Sequence, residues 1–148
     1  MAKITGRDRL RFVLTKLPKE MRTELRKTIL TEAEGIADIQ RRLAHSDRVR
    51  DGITVTPGDR DVARYNKLRS KRSVKDPELA AIISSDHFIA PLEEFGTSPH
   101  LNEGRFPGTQ HPGTPPKPSF YPGWRAGRKR AQNKINKAAR KAIKQGIK

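Results

Sequence analysis

The sequence predicts an α+β fold: a long N-terminal amphipathic helix and a basic C-terminal helix packed on a small, mainly antiparallel sheet. Three observations carry that expectation. Apolar residues recur every three or four positions from Pro18 to Ala44. Short alternating or β-branched runs, bounded by Pro and Gly, follow between residues 53 and 85. A Lys/Arg-rich stretch with helical spacing closes the chain after a proline-rich segment.

Taking the elements in order, Leu10, Val13, Leu14 and Leu17 stand at i, i+3, i+4 and i+7, a helical stripe over Gly6 to Leu17. Pro18 interrupts it and suits the first turn of a second helix. That helix runs to Ala44, with Met21, Leu25, Ile29, Ala33, Ile36, Ile39 and Leu43 on its apolar face. Gly35 is its weak point. "AHSDRVRDG" turns the chain, and "GITVTPGD" alternates Ile53 and Val55 with Thr54 and Thr56, a strand closed by a Pro-Gly turn. "DVARYNKLRS" reads as a weaker strand, "KRSVKDP" as a basic loop, and "ELAAIISS" as a buried strand. "DHFIAPLEEFG" predicts a short helix capped by Asp86 and limited by Pro91. Residues 98–118 hold six prolines and predict an extended loop without regular structure. From 123 to 148 the chain predicts a basic helix with a thin apolar face of Ala131, Ile135, Ala138, Ala142 and Ile143.

The composition fits one domain, residues 1–148, with a lean core: 33% hydrophobic residues, 32% charged, mean hydropathy -0.82. A chain with so little apolar content gains from burial against partners. The absence of cysteine excludes disulfides, thiol nucleophiles and cysteine-based zinc sites. Charges interrupt every apolar run of "MAKITGRDRLRFVLTKLP", and the longest aliphatic run, "LAAII", is far short of a bilayer span. A soluble protein made in the cytoplasm, with no membrane partner, is therefore expected.

Candidate chemistry is sparse. Glu93 and Glu94 are adjacent, so on a helix they diverge by about 100° and do not converge on one bond as paired catalytic carboxylates must. His45, His87, His100 and His111 lack paired metal-ligand spacing; His100 and His111 with Glu103 between them make at most a loose site. No phosphate cradle and no nucleophile elbow is present. Neither enzyme activity nor a cofactor or metal is expected.

The net charge is +16, and ten of those positive charges fall in the 24 residues from Arg125 to Lys148, which contain no Asp or Glu. Arg125, Arg128, Lys129, Arg130, Lys134, Lys137, Arg140, Lys141 and Lys144 are candidates to face DNA or an acidic protein surface, because like charges on one helix repel. Asn, Gln and aromatic residues are too few there for base reading.

Three segments, in order, resemble the tail-completion or head–tail joining proteins of long-tailed phages, the gene-product-ten-like family. "IAPLEEFGT" is similar to that family's Tyr-Ala-x-x-aliphatic-Glu-Phe-Gly-Thr, matching at Ala90, Glu94, Phe95, Gly96 and Thr97. Ile89 stands where tyrosine is usual and Glu93 where an aliphatic is usual. "PSFYPGW" is similar to Pro-Phe-Leu-Arg-Pro-Ala, matching at Pro118 and Pro122, with Phe120 displaced by one place. "AHSDRVRDGI" matches the family's Ala-Pro-x-x-Thr-Gly-x-Leu-Arg-x-Ser-Ile at Ala44, Arg50 and Ile53, without the Thr-Gly.

The resemblance spans about residues 7 to 145. It implies a virion protein of the neck, assembled as a homo-oligomeric ring, plausibly a hexamer. Head-completion or connector proteins would lie on one side and the tail terminator or tail tube on the other, with genomic DNA a possible contact in the channel. On this reading the basic helix either lines that channel or docks on an acidic protein, and Phe95 anchors the short helix in the core. Gly96 launches the loop, and Glu94 meets a backbone group or a basic residue nearby. The competing reading is a free nucleic-acid-binding protein with an α+β core and a cationic arm.

Overall fold

The computed structural model describes Gly6 and residues 13–60 and 76–146. The fold is α+β. In chain order its elements are helix α1 (Lys19–Leu43), helix α2 (Asp47–Gly52), strand β1 (Ile53–Pro57) and a 3-10 turn at Pro77–Leu79. Strand β2 (Ala81–Ser85), helix α3 (Ala90–Phe95), strands β3 (His100–Leu101) and β4 (Gln110–His111), and helix α4 (Phe120–Gly146) follow. Ahead of α1, residues 13–15 are helical and Leu17 is buried; the rest of the predicted first stripe, the weaker strand at 61–70 and the basic loop up to residue 75 lie outside the described residues.

Helix α1 begins after Pro18 as the spacing predicts, because proline fits a helix start and not its interior. Its buried face is Leu25, Ala33, Ile36, Ala37 and Gln40, and Leu43 of the expected stripe is exposed. Leu43 lies about five turns from the buried Leu25 and so shares its face; it is exposed as the last residue of the helix, and Gln40 is the last buried residue.

Beyond α1 the chain does not simply turn: it forms the one-and-a-half-turn helix α2. Ser46 caps it, its Oγ accepting from the Val49 N–H at 3.3 Å. β1 and β2 then pair antiparallel, from Ile53 opposite Ser85 to Pro57 opposite Ala81. In β2 only Ser84 is buried outright, and Ile82 and Ile83, which point to opposite faces, are each half-buried, so the expected buried strand is one of a partly exposed two-stranded ribbon. Ala37, Ala44, Val49 and Ile53 form a small core, with Val55, Ile83, Ile89 and Ala90 packed around it. Arg22 pairs with Asp76 and Glu78, and Arg26 with Asp59, tying α1 to the connection between the strands. The Arg26 hydrogen bond holds the Asp59 carboxyl below its ordinary pKa.

Helix α4 lies along α1, and the contact is made by small residues. Gly123, Gly127 and Ala131, spaced by four, are all buried on the facing side. A β-carbon on Gly123 would fall 2.5 Å from Gln40 Cγ, and one on Gly127 2.8 Å from Ile36 Cγ1. The two backbones can approach this closely only where side chains are missing.

Candidate functional site

The segment "IAPLEEFGT" builds a joint between three elements. Ile89, whose own side chain makes no cap, stands before α3 where Asp86 was expected. Pro91 falls in the first turn, so it starts the helix and does not curtail it. Ala90 packs against the core.

Glu94 is buried, and its carboxylate reaches the start of α4. Oε2 accepts from the N–H groups of Ser119 (2.7 Å) and Phe120 (2.8 Å), and Oε1 from Tyr121 N–H (2.9 Å). The next residue, Pro122, has no N–H, and the Gly123 N–H makes the first helical bond, to the Ser119 carbonyl at 3.0 Å. Every otherwise unpaired donor at this helix start is thus satisfied by one side chain or removed by proline. A carboxylate at the positive end of a helix also gains from the helix dipole. This joint explains why α4 begins at Phe120, three residues ahead of the expected 123: Pro122 suits the first turn and Gly123 the close crossing of α1.

Phe95 does not anchor the core; it is 67% exposed and lies against Tyr121, with ring centroids 6.0 Å apart. Glu94 and Phe95 point about 100° apart on one short helix. With Glu94 turned toward α4, its neighbour must turn out. Gly96 has φ 71, and a β-carbon there would meet the Thr114 carbonyl oxygen at 2.6 Å, so glycine is required at this turn.

Thr97 then bridges Thr114 through both backbone hydrogen bonds, at 3.0 and 3.1 Å, and through a hydroxyl pair at 2.9 Å. Above this bridge, β3 and β4 pair His100 with His111 and Leu101 with Gln110. The expected unstructured loop is therefore a β-hairpin arm. Near its end Leu101 (66%) and Phe106 (65%) are exposed. Pro118 is exposed on the return path to α4, and the Lys117 N–H donates to the Glu93 carbonyl at 2.6 Å.

At the arm's base a pocket of about 460 Å³ is lined by His45, Glu93, His100, His111 and Lys117 among others. His100 and His111 stack, with centroids 4.9 Å apart. His100 Nδ1 bonds the Ser98 carbonyl, His111 Nδ1 accepts from the Gly113 N–H, and Lys117 Nζ lies 2.9 Å from His45 Nε2. Among the described residues no group of three or more His, Asp or Glu is placed to hold a metal ion.

The cations of α4 divide between its two flanks. Lys134 pairs with Glu32 of α1 at 2.7 Å, and Lys137 and Lys141 border a groove that also holds Glu20 and Glu24. That flank has the acidic neighbours that α4 itself lacks. Arg125, Arg128 and Lys129 edge the opposite flank. Arg130, Arg140 and Lys144 are exposed. Among the described residues, Lys134 is the one cation of α4 with an ion-pair partner.

Sequence reasoning missed Gln40, Ser119, Tyr121 and Trp124. Gln40 Nε2 donates to the Phe120 carbonyl at 2.9 Å, and its fully buried position holds α1 against the start of α4. A polar residue in register with an apolar stripe was the available signal. Comparison of the chain with protein families, with curated proteins and with solved structures gives no match. Among the described residues no helix is long and apolar enough to cross a membrane.

Proposed function

We propose that the chain is a structural component of the head–tail junction of a long-tailed phage, forming a ring that completes the tail end and joins it to the DNA-filled head. The observation that carries this reading is the Glu94 joint. It places two of the three segments that resemble the tail-completion family, "IAPLEEFGT" and "PSFYPGW", in direct contact as one structural unit. Residues that resemble a family motif here serve architecture: they set the arm on one side and the basic helix on the other. The hairpin arm, with Leu101 and Phe106 exposed, is suited to pack on a neighbouring subunit. Head-completion and tail proteins are the partners, and a hexamer is the expected ring.

Two measurements test it. Native mass measurement and imaging of the purified protein should find a closed ring. Replacing residues 99–112 by a two-residue Asn-Gly turn, which keeps Thr97 and Thr114, should leave the subunit folded and abolish joining of heads to tails. Normal virion yield from that variant would sink the proposal.

The second reading, a free nucleic-acid-binding protein, draws on the cations of α4 without ion-pair partners among the described residues. It requires a monomer that binds duplex DNA with a log–log salt slope steepening by about 0.9 per neutralised phosphate. A ring that ignores DNA excludes it.

A further inference from the structure

We propose that the groove between α1, β2 and α4 is a docking site for an acidic amphipathic segment of a partner protein. Placing that partner at the head–tail junction rests on the reading above, whereas the chemistry of the segment follows from the groove alone.

The groove has a volume of about 1020 Å³. Small-molecule pockets reach about 1,000 Å³ and bury most of their ligand, whereas this cleft is only partly enclosed and suits a stretch of polypeptide. Its lining is mainly apolar: Ile29, Ala33 and Ile36 from α1, Ala81 and Ile83 from β2, and Ile135 from α4, with Gln40 of α1 the polar exception among them. Tyr121 and the 43% exposed Trp124 stand at one end. Along the α4 side run Arg125, Arg128, Lys129 and Gln132, at i, i+3, i+4 and i+7, the spacing of one continuous helix edge. They span roughly 10 Å at 1.5 Å per residue, about two turns of a docked helix.

Among the described residues no Asp or Glu lines this groove, and none of its three cations has an ion-pair partner. The contrast with the other flank is informative, because there Glu20, Glu24 and Glu32 stand beside Lys134, Lys137 and Lys141. Among the described residues nothing supplies counter-charge to Arg125, Arg128 and Lys129, which leaves these exposed cations open to a partner's carboxylates. Duplex DNA presents phosphate along its backbone and few apolar groups, a thymine methyl at most, to cover an isoleucine floor. A second copy of the chain brings a net charge of +16 to a cationic rim, so it is the poorer match for this face. A segment with apolar side chains on one face and carboxylates beside them satisfies floor and rim together, as helix-in-groove and acidic-motif recognition do elsewhere.

Trp124 is the single tryptophan and lines the groove, so its emission reports occupancy directly. The probe is a synthetic helical peptide with Leu at i, i+3, i+4 and i+7 and Glu at the remaining positions, titrated into the full chain. A saturable blue shift of Trp124 emission is expected. Arg125→Glu, Arg128→Glu and Lys129→Glu together should weaken binding about tenfold or more, since three exposed ion pairs become repulsions. Lys134→Gln, Lys137→Gln and Lys141→Gln on the opposite flank should leave it within about twofold. A peptide with Ser in place of Leu should bind more weakly by a similar tenfold factor, through loss of the apolar anchors.

All the exchanged cations are exposed, and circular dichroism checks that each variant is folded. Equal weakening by both variant sets, equal binding of the Ser peptide, or no shift of Trp124 would overturn the proposal. So would a saturable Trp124 response to a 20-base-pair duplex that the rim variant removes, which assigns the groove to nucleic acid. Because the titration needs no virions, its failure leaves the ring and head–tail joining tests untouched.

Discussion

Glu94 carries more of the architecture than any other single residue described. Three backbone N–H groups rest on its two oxygens, and hydrogen bonds to a charged group contribute about 1.5–3 kcal/mol each, not additively. Glu94→Ala should therefore lower unfolding stability by about 3 kcal/mol in urea titrations, whereas Glu93→Ala should change it by less than about 1 kcal/mol. Glu94→Gln should fall between the two, because its carbonyl oxygen can still accept from Ser119 and Phe120 while its amide turns a donor toward the Tyr121 N–H. Phe95→Ala should barely affect the isolated subunit, given its exposure, but should reduce assembly measured by sedimentation. The need of Glu94 for a nearby partner was legible in the sequence, and the outward turn of Phe95 was not. Which of two adjacent side chains faces inward depends on where α4 starts, and that is settled 25 residues further along the chain.

At the scale of elements, two glycines in helices should respond oppositely to the same change. Gly35 is exposed in α1, and a β-carbon there meets nothing within 4 Å. Gly35→Ala should stabilise by about 0.5–1 kcal/mol through helix propensity and reduced unfolded-state freedom. Gly127→Ala forces a methyl against Ile36 and should destabilise by about 1–3 kcal/mol; thermal melts of the pair check both signs. The long helix was legible because its apolar spacing persists over 25 residues. The hairpin was hidden because its paired strands are two residues each and show no alternation. Its register is held instead by the Thr97–Thr114 bridge, and pairing between residues 17 apart leaves no periodic trace.

For the whole molecule, the lean composition and the exposed apolar side chains are what the proposed ring would use: burial between subunits would add stability that the single chain lacks. Ring formation should make the melting temperature rise with protein concentration, as linkage to association requires. A melting temperature independent of concentration over a hundredfold dilution range, from about 1 to 100 μM, would argue for a stable monomer. Net charge was legible as a number, but its division between a flank with acidic neighbours and one without depends on how α4 rotates against α1, which the glycine contacts determine. The joint at Glu94 also has a mechanical meaning. The arm's base at Thr97 lies three residues from the carboxylate that grips α4. A pull on the arm tip is therefore delivered to the basic helix along a short stiff path, through hydrogen bonds loaded together. A ring built from such subunits would pass strain from the arm to the helix as a lever does, and Glu94 is its fulcrum.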